Sequence, residues 1–598
     1  MSYKTIHLYP RFLCGQHRCG QRTSLALAVL LAFLIVPVGW TEPGGSDFSA
    51  RGRRRDTGRG GMEDPKAIEA LDALVERLKK GEQPQDDDIQ RIVSGLDWRT
   101  RSSDPAALLG KLRLLQQVRG DMAFPTPDKP LTTEDGLARL ITALEVRWME
   151  DIPSEQTRAH PAAVAFPGIV PVDAERITRK IVIDTNAPGW HNFGIYGNPR
   201  SPYWHSTGLY APPGEVVLVR APKGMVNKGL YVRIGAHSDK LWRRRSWSRA
   251  PDICRRFPIE KSRTKAANAF GGLIYIETPF GLEAGAIPLT ISGAVKAPHY
   301  VLGKTDAKQW RETIRFYPAP WAELESRKVI LTLPSKVIRT LEDPEELMKF
   351  WDGIMDGYAE LLGRDTERRR VERFVSDVQI SAGYMHSGYP LMTMLDITTT
   401  MVDKDRISSN GHHGVWGLFH EIGHNHQNSQ WTFRGTTEVT VNLFSLYLME
   451  KVCGLISEGH PSITKQARAK NTKKYLAEGA DFEKWKRSPF LALCMYMQMK
   501  EAFGWDAFKK VFAEYRDLSE DQRPKSDDEK RDQWMVRFSR TVGRNLGPFF
   551  EAWGIPTSEK ARASIADLPL WMPEGFPPED NVRLSSVYRT TTNNCLSF

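Results

Sequence analysis

The sequence predicts a multidomain α+β protein: a small N-terminal helical module, then a β-sandwich, then a mainly helical domain. Three observations predict it. Apolar residues recur at helical spacing from Asp64 to Trp148, and short runs of branched residues between Pro and Gly turns fill residues 170–297. Beyond residue 298 the helical pattern returns and carries the stretch His420-Glu421-Ile422-Gly423-His424. At 598 residues the chain exceeds a single core, and about 100–200 residues per domain implies three or four units.

The N-terminus reads as a targeting segment over residues 1–40. Lys4, Arg11, Arg18 and Arg22 precede the apolar stretch Leu25 to Val38, which Pro37, Gly39 and Trp40 break. This is a signal peptide pattern, with an uncleaved anchor as the alternative, and it places the protein as secreted, periplasmic or cell-surface. Residues 41–62 are rich in Gly and Arg with almost no apolar content and read as a disordered tether. Lys4 and eight Arg against Glu42, Asp47 and Asp56 concentrate +6 of the net +11 in these first 62 residues. The body is therefore only mildly basic. Arg243-Arg244-Arg245 reads as a solvated face, and no nucleic-acid motif accompanies it.

The helical module, residues 63–160, is carried by Ile68, Leu71, Leu74, Val75 and Leu78 and again by Leu137, Leu140, Ile141, Leu144 and Val146, enough for about four helices. After Pro161, Pro167 and Pro171 the period shortens. Ile177–Asp184, Glu215–Arg220, Leu230–Gly235 and Leu273–Glu277 read as strands of a sandwich over 170–297. From 298 to 573 a strand at Val329–Leu333 and a helix through Leu347–Leu362 lead into helices with buried Met and aromatic faces, and residues 574–598 form a tail. The six Cys are scattered and form no disulfide framework, although a Cys453–Cys494 bridge between neighbouring helices is compatible with the sequence.

The chemistry lies in Gly411 to Gln427. Positions four apart share a helix face, so His420 and His424 direct imidazole nitrogens at one zinc ion, with Glu421 beside it as base. Zinc suits two nitrogens and one carboxylate and keeps a position for water, whose pKa it lowers towards ~7. The third ligand is Glu438, fourteen residues after His424, at the start of the apolar run through Leu443, Leu446, Tyr447 and Leu448. Glu450 lies two to three turns too far along. A chance match to this motif is expected on the order of a few times in a hundred such sequences, and the apolar Val415, Leu418, Phe419 and Ile422 supply the buried helix it needs. His426 points off the zinc face, while His412 and His413 belong to the entry loop. Trp416, one turn before His420, is either a pocket wall or a core residue. Tyr384, His386 and Tyr389, in a Gly-rich aromatic loop, are candidates for substrate binding and for the donor to a tetrahedral oxyanion.

His420 through Gln427 with Glu438, the segment Ala382 through Pro390, and Phe549-Phe550-Glu551-Ala552-Trp553-Gly554-Ile555-Pro556 resemble the enhancin-like, mucin-degrading metallopeptidases of family sixty. That group has a gluzincin type of site and includes the channel-associated-factor homologues of animals. Trp204 to Gly214 and Ala267 to Ile276 resemble the β-sandwich that precedes its catalytic domain, so the resemblance covers about residues 170–573. It implies a zincin-type catalytic domain, a zinc cofactor, and endopeptidase action on O-glycosylated, mucin-like glycoproteins. The charge distribution and motifs read as no nucleic-acid partner, and the N-terminal segment as membrane contact only if it stays uncleaved. The alternatives are a non-catalytic glycan- or protein-binding member of the same fold, and a peptidase with no glycan requirement. The helical module matches no part of that group.

Overall fold

The computed structural model describes residues 65–82, 87–89, 92, 105–119, 124–186, 194–198, 200–409, 413–455 and 459–577. The segments read as signal or anchor and as tether lie outside these residues, as does most of the tail. No helix among the described residues is long and apolar enough to cross a membrane.

The helical module contains α1 (Pro65–Lys79), α2 (Pro105–Arg119) and α3 (Gly136–Asp151). Leu71, Leu74, Leu112, Leu115, Leu140 and Leu144 meet in a core of their own. Helix α3 has a second face: its Val146 and Met149 join a cluster with Phe166, Trp204, Tyr275, Trp321 and Val375. Arg139 on α3 donates to the carbonyls of Arg244 and Arg245 and lies over Trp247. The module is therefore packed into the body, and Arg243 and Arg245 face solvent as their sequence suggests.

Eight strands follow: β1 (Ile177–Asp184), β2 (Tyr203–Ala211), β3 (Val217–Arg220), β4 (Tyr231–Ile234), β5 (Arg255–Pro258), β6 (Arg263–Ala266), β7 (Gly272–Thr278) and β8 (Ala286–Lys296). They form one hydrogen-bonded path, β5-β4-β7-β2-β8-β3-β6, with β1 also on β8. This refines the expected sandwich of two sheets. The long strand β8 pairs with β1 between Ala286 and Ala294, with β3 through Thr290 to Ser292 and with β2 through Val295 and Lys296, so one strand passes from one layer to the other. Val217, Val219 and Ile291 from one part and Val232, Ile234 and Ile276 from the other fill a single apolar core.

The last unit is helical, as expected, but it also holds a six-stranded sheet of which hydropathy signals only β11. The order is β13-β14-β12-β11-β10-β9, built from β9 (His299–Val301), β10 (Trp321–Glu325), β11 (Val329–Pro334), β12 (Glu372–Asp377), β13 (Met385–His386) and β14 (Leu391–Met394). Strand β12 runs parallel to both its neighbours and is buried along its length, so it lacks an alternating pattern. Its charges are paired instead. Arg373 bonds Glu323, the Trp204 carbonyl and the Ser206 hydroxyl, and Asp377 receives Arg249 at 2.7–3.1 Å.

The Arg249–Asp377 pair is almost entirely out of solvent. Asp377→Ala leaves a guanidinium buried without its carboxylate and is expected to destabilise the fold by about 3–5 kcal/mol, read as a lowered midpoint in thermal or urea unfolding. A variant with the native midpoint refutes that account.

Helices α4 (Pro344–Leu361), α5 (His413–His426), α6 (Asn442–Lys451) and α7 (Pro489–Asp517) pack on this sheet and on one another in the largest core of the molecule. Cys453 and Cys494 are both free thiols, so no bridge joins their helices.

Candidate metal centre

Helix α5 forms because Val415, Leu418, Phe419 and Ile422 are all buried on one stripe. Gly423 lets α6 approach: a Cβ there would lie 2.9 Å from Val441 and 3.2 Å from Phe444. That close packing brings Glu438, in the short helix Thr437–Thr440 before α6, over the face that carries His420 and His424. The ligand atoms of His420, His424 and Glu438 all lie within 4.8 Å of one another. His420 Nε2 is 3.0 Å from Glu438 Oε2, and His424 Nε2 is 3.5 Å from Glu438 Oε1.

A surrounding layer orients these groups. Trp416 Nε1–H donates to Asn442 Oδ1 at 3.0 Å, so that oxygen accepts, and His420 Nδ1–H donates to it at 3.0 Å. Gln427 Nε2–H donates to the Thr437 carbonyl and the Thr440 hydroxyl, which turns its Oε1 to accept from His424 Nδ1–H at 2.9 Å. Both imidazoles thus have Nδ1–H engaged and turn Nε2, the atom that would bind a metal, to the common space, where each faces the Glu438 carboxylate. Two imidazole nitrogens and one carboxylate fit zinc.

Electrostatics agree. Burial opposes ionisation of Glu438, but hydrogen bonds from His420 and His424 outweigh it and hold the carboxyl far below its ordinary range. Burial likewise opposes a charge on His420, and the Glu438 hydrogen bond with the Glu421 and Glu438 charges holds it above its ordinary value. Glu421 follows His420 on the same helix, and its charge also acts to raise Tyr196 and His386.

The other residues singled out by sequence are placed differently. Trp416 is buried among His460 and Phe490 and supports Asn442; it forms no wall of the opening, because α6 covers that side of α5. Tyr384 is half-exposed, and its hydroxyl is drawn to Asp396. His386 lies between two acceptors, Asp239 Oδ2 at 2.8 Å and the Ser387 carbonyl at 3.0 Å, so both its nitrogens are engaged. Tyr389 accepts from the Trp204 amide at 3.4 Å and stacks under Arg370, joining β2 to the last unit. His426 hydrogen-bonds the Ile422 carbonyl and stacks on Tyr358, away from the metal face. Glu450 pairs with Lys500 at 2.5 Å. His412 and the side chain of His413 lie outside the described residues.

Tyr196, which the sequence does not single out, also reaches the centre. Its ring meets His424 edge-on, with centroids 5.1 Å apart. Burial, and then the Glu438 and Glu421 charges, keep its phenol protonated above the ordinary range.

Residues 293–554 match the family described as peptidase M60, enhancin and enhancin-like, and residues 172–292 match the N-terminal domain of M60-like peptidases. The chain belongs to the M60 family. The part matched as peptidase M60 therefore begins within β8, and the matched N-terminal domain is the β-rich unit. Among curated relatives, TRPM8 channel-associated factor 2 of Bos taurus is 41% identical over 62% of this chain and 40% of its own length. TRPM8 channel-associated factor 3 of Mus musculus is 38% identical over 68% of this chain and 42% of its own length. The chain thus spans about two fifths of the curated relatives it matches. Among solved structures, the IMPa metallopeptidase in complex with T-antigen superposes with a TM-score of 0.54 at 16% identity, over 81% of this chain and 63% of that one. A conserved protein of unknown function from Bacillus anthracis superposes with a TM-score of 0.53 at 24% identity, over 66% of this chain and 80% of that one. Both show that this M60 chain shares their fold.

Proposed function

We propose that this M60 member is a zinc-dependent endopeptidase acting outside the cytoplasm on O-glycosylated, mucin-like proteins. The observation that carries the reading is the convergence of His420, His424 and Glu438 beside Glu421. His420 Nε2, His424 Nε2 and the Glu438 carboxylate hold the ion, and Asn442 and Gln427 orient the two rings. Bound zinc supplies a Lewis acid and an acidified water. Glu421 accepts a proton from the attacking water on its carboxylate and returns one to the departing amide nitrogen. The extracellular setting is supported by the basic and apolar pattern between Lys4 and Val38. The glycan requirement is supported by the fold shared with IMPa, a metallopeptidase solved with T-antigen and, from Pseudomonas aeruginosa, with an O-glycopeptide.

A second reading is favoured by the relatives named as channel-associated factors. In it the same fold binds protein or glycan without turnover. The full-length protein incubated with an O-glycosylated mucin, before and after enzymatic deglycosylation and with and without a zinc chelator, separates the readings. Cleavage is expected only with glycan present and chelator absent. Cleavage that survives chelation refutes the metal mechanism, and equal cleavage of the deglycosylated mucin refutes the glycan requirement.

A further inference from the structure

The developing oxyanion on a scissile carbonyl needs a preorganised donor, and two of the three candidate side chains of the Gly-rich loop have their donors engaged. His386 has both nitrogens bonded and Tyr384 is drawn to Asp396, while Tyr389 accepts from the Trp204 amide and lies under Arg370, where β2 joins the last unit. A phenol packed directly against a ligand comes from the other unit. Tyr196 lies between β1 and β2, in the part of the chain that matches the N-terminal domain.

What carries Tyr196 there is the end of α5. The last carbonyls of a helix have no partner within it. Here Ile195 N–H donates to the Gln427 carbonyl at 2.9 Å and Tyr196 N–H to the His424 carbonyl at 3.4 Å. Gly194 makes the approach possible, since a Cβ at that position would lie 1.8 Å from the Asn425 carbonyl oxygen. A turn closes through Gly197 N–H to the Gly194 carbonyl at 3.1 Å, and Arg370 next to β12 donates to the carbonyls of Gly197 and Asn198. The backbone is thus anchored on both sides of Tyr196. Its ring packs against His424, its hydroxyl accepts from the Thr437 side chain and so keeps its own proton to donate, and the residue is 45% exposed, open to an incoming chain.

We infer that Tyr196 is a catalytic residue: its hydroxyl donates a hydrogen bond to the carbonyl oxygen of the scissile peptide as negative charge develops there. The inference rests on the peptidase reading. In the step, the water oxygen bonds the carbonyl carbon, one water proton passes to Glu421 and on to the amide nitrogen, and the C–N bond breaks. Tyr196 keeps its proton throughout. The N-terminal domain then completes the active site.

Tyr196→Phe keeps the ring against His424 and removes only the donor. Four quantities are measured on the full-length protein: kcat, KM, zinc content, and affinity for a phosphinic glycopeptide in which a phosphinate replaces the scissile amide. Loss of one such donor typically costs about a hundredfold or more in kcat. The expectation is that loss, with KM and zinc content unchanged and phosphinate affinity at least about tenfold weaker, because the analogue carries the tetrahedral oxygens. Native kcat together with native phosphinate affinity in Tyr196→Phe overturns the assignment. Glu421→Gln run beside it separates the two failures. If the native protein cleaves, Glu421→Gln does not, and Tyr196→Phe behaves as native, only the Tyr196 role fails. If the native protein neither cleaves nor binds the phosphinate, the peptidase reading fails and this inference with it.

Discussion

Glu421→Gln is expected to reduce cleavage to background while zinc remains bound in full. The substitution is nearly isosteric, so the packing of α5 and the positions of His420 and His424 are kept, and only the ability to take a proton is lost. General acid–base groups contribute about 10²–10⁴-fold. In the proposed mechanism one group performs both transfers, so its loss removes base and acid together. A metal analysis of the purified variant, set beside its rate on the mucin substrate, checks both halves. Full activity in that variant sinks the mechanism. The binding reading makes the opposite forecast: a protein that only binds glycan or peptide loses nothing when a carboxylate beside its metal becomes an amide.

The second large effect is expected at Glu438. Glu438→Gln removes the single anionic donor facing two neutral imidazoles, and zinc affinity should fall by on the order of a hundredfold or more, with activity lost in parallel. The surrounding layer is graded below it. Asn442→Ala leaves His420 without the acceptor for its Nδ1–H and should weaken zinc by roughly 10–100-fold. Glu450→Gln serves as the control, because Glu450 is tied to Lys500 and should leave zinc in place. Chelator competition orders the three variants. Stoichiometric zinc in Glu438→Gln refutes its assignment as third ligand.

The distribution of legible and illegible features has a physical basis. Strands β1 and β11 and helix α4 are readable because their apolar residues repeat with one local period against one core. Strand β12 is not, because Glu372, Arg373 and Asp377 look like surface residues until partners from other strands and loops neutralise them in the interior. Trp416 shows the reverse case. It shares a helix face with His420, yet α6 covers it and turns it into a support for Asn442. The β-rich unit was legible as strands, but the passage of β8 between its layers depends on pairings at both ends of one strand, which no local pattern encodes.

At the centre itself the division follows distance along the chain. His420, Glu421 and His424 share a face of one helix by the 3.6-residue period alone, and Glu438 follows on the next helical segment, so a local reading finds all four. The packing of the units decided the rest: that Asn442 and Gln427 turn both Nε2 atoms to the centre, that His386 and Tyr384 have their donors engaged, and that a tyrosine from the N-terminal domain lies against His424. Those contacts depend on how a helix end finds acceptors for its last carbonyls, and that is settled only when distant segments meet.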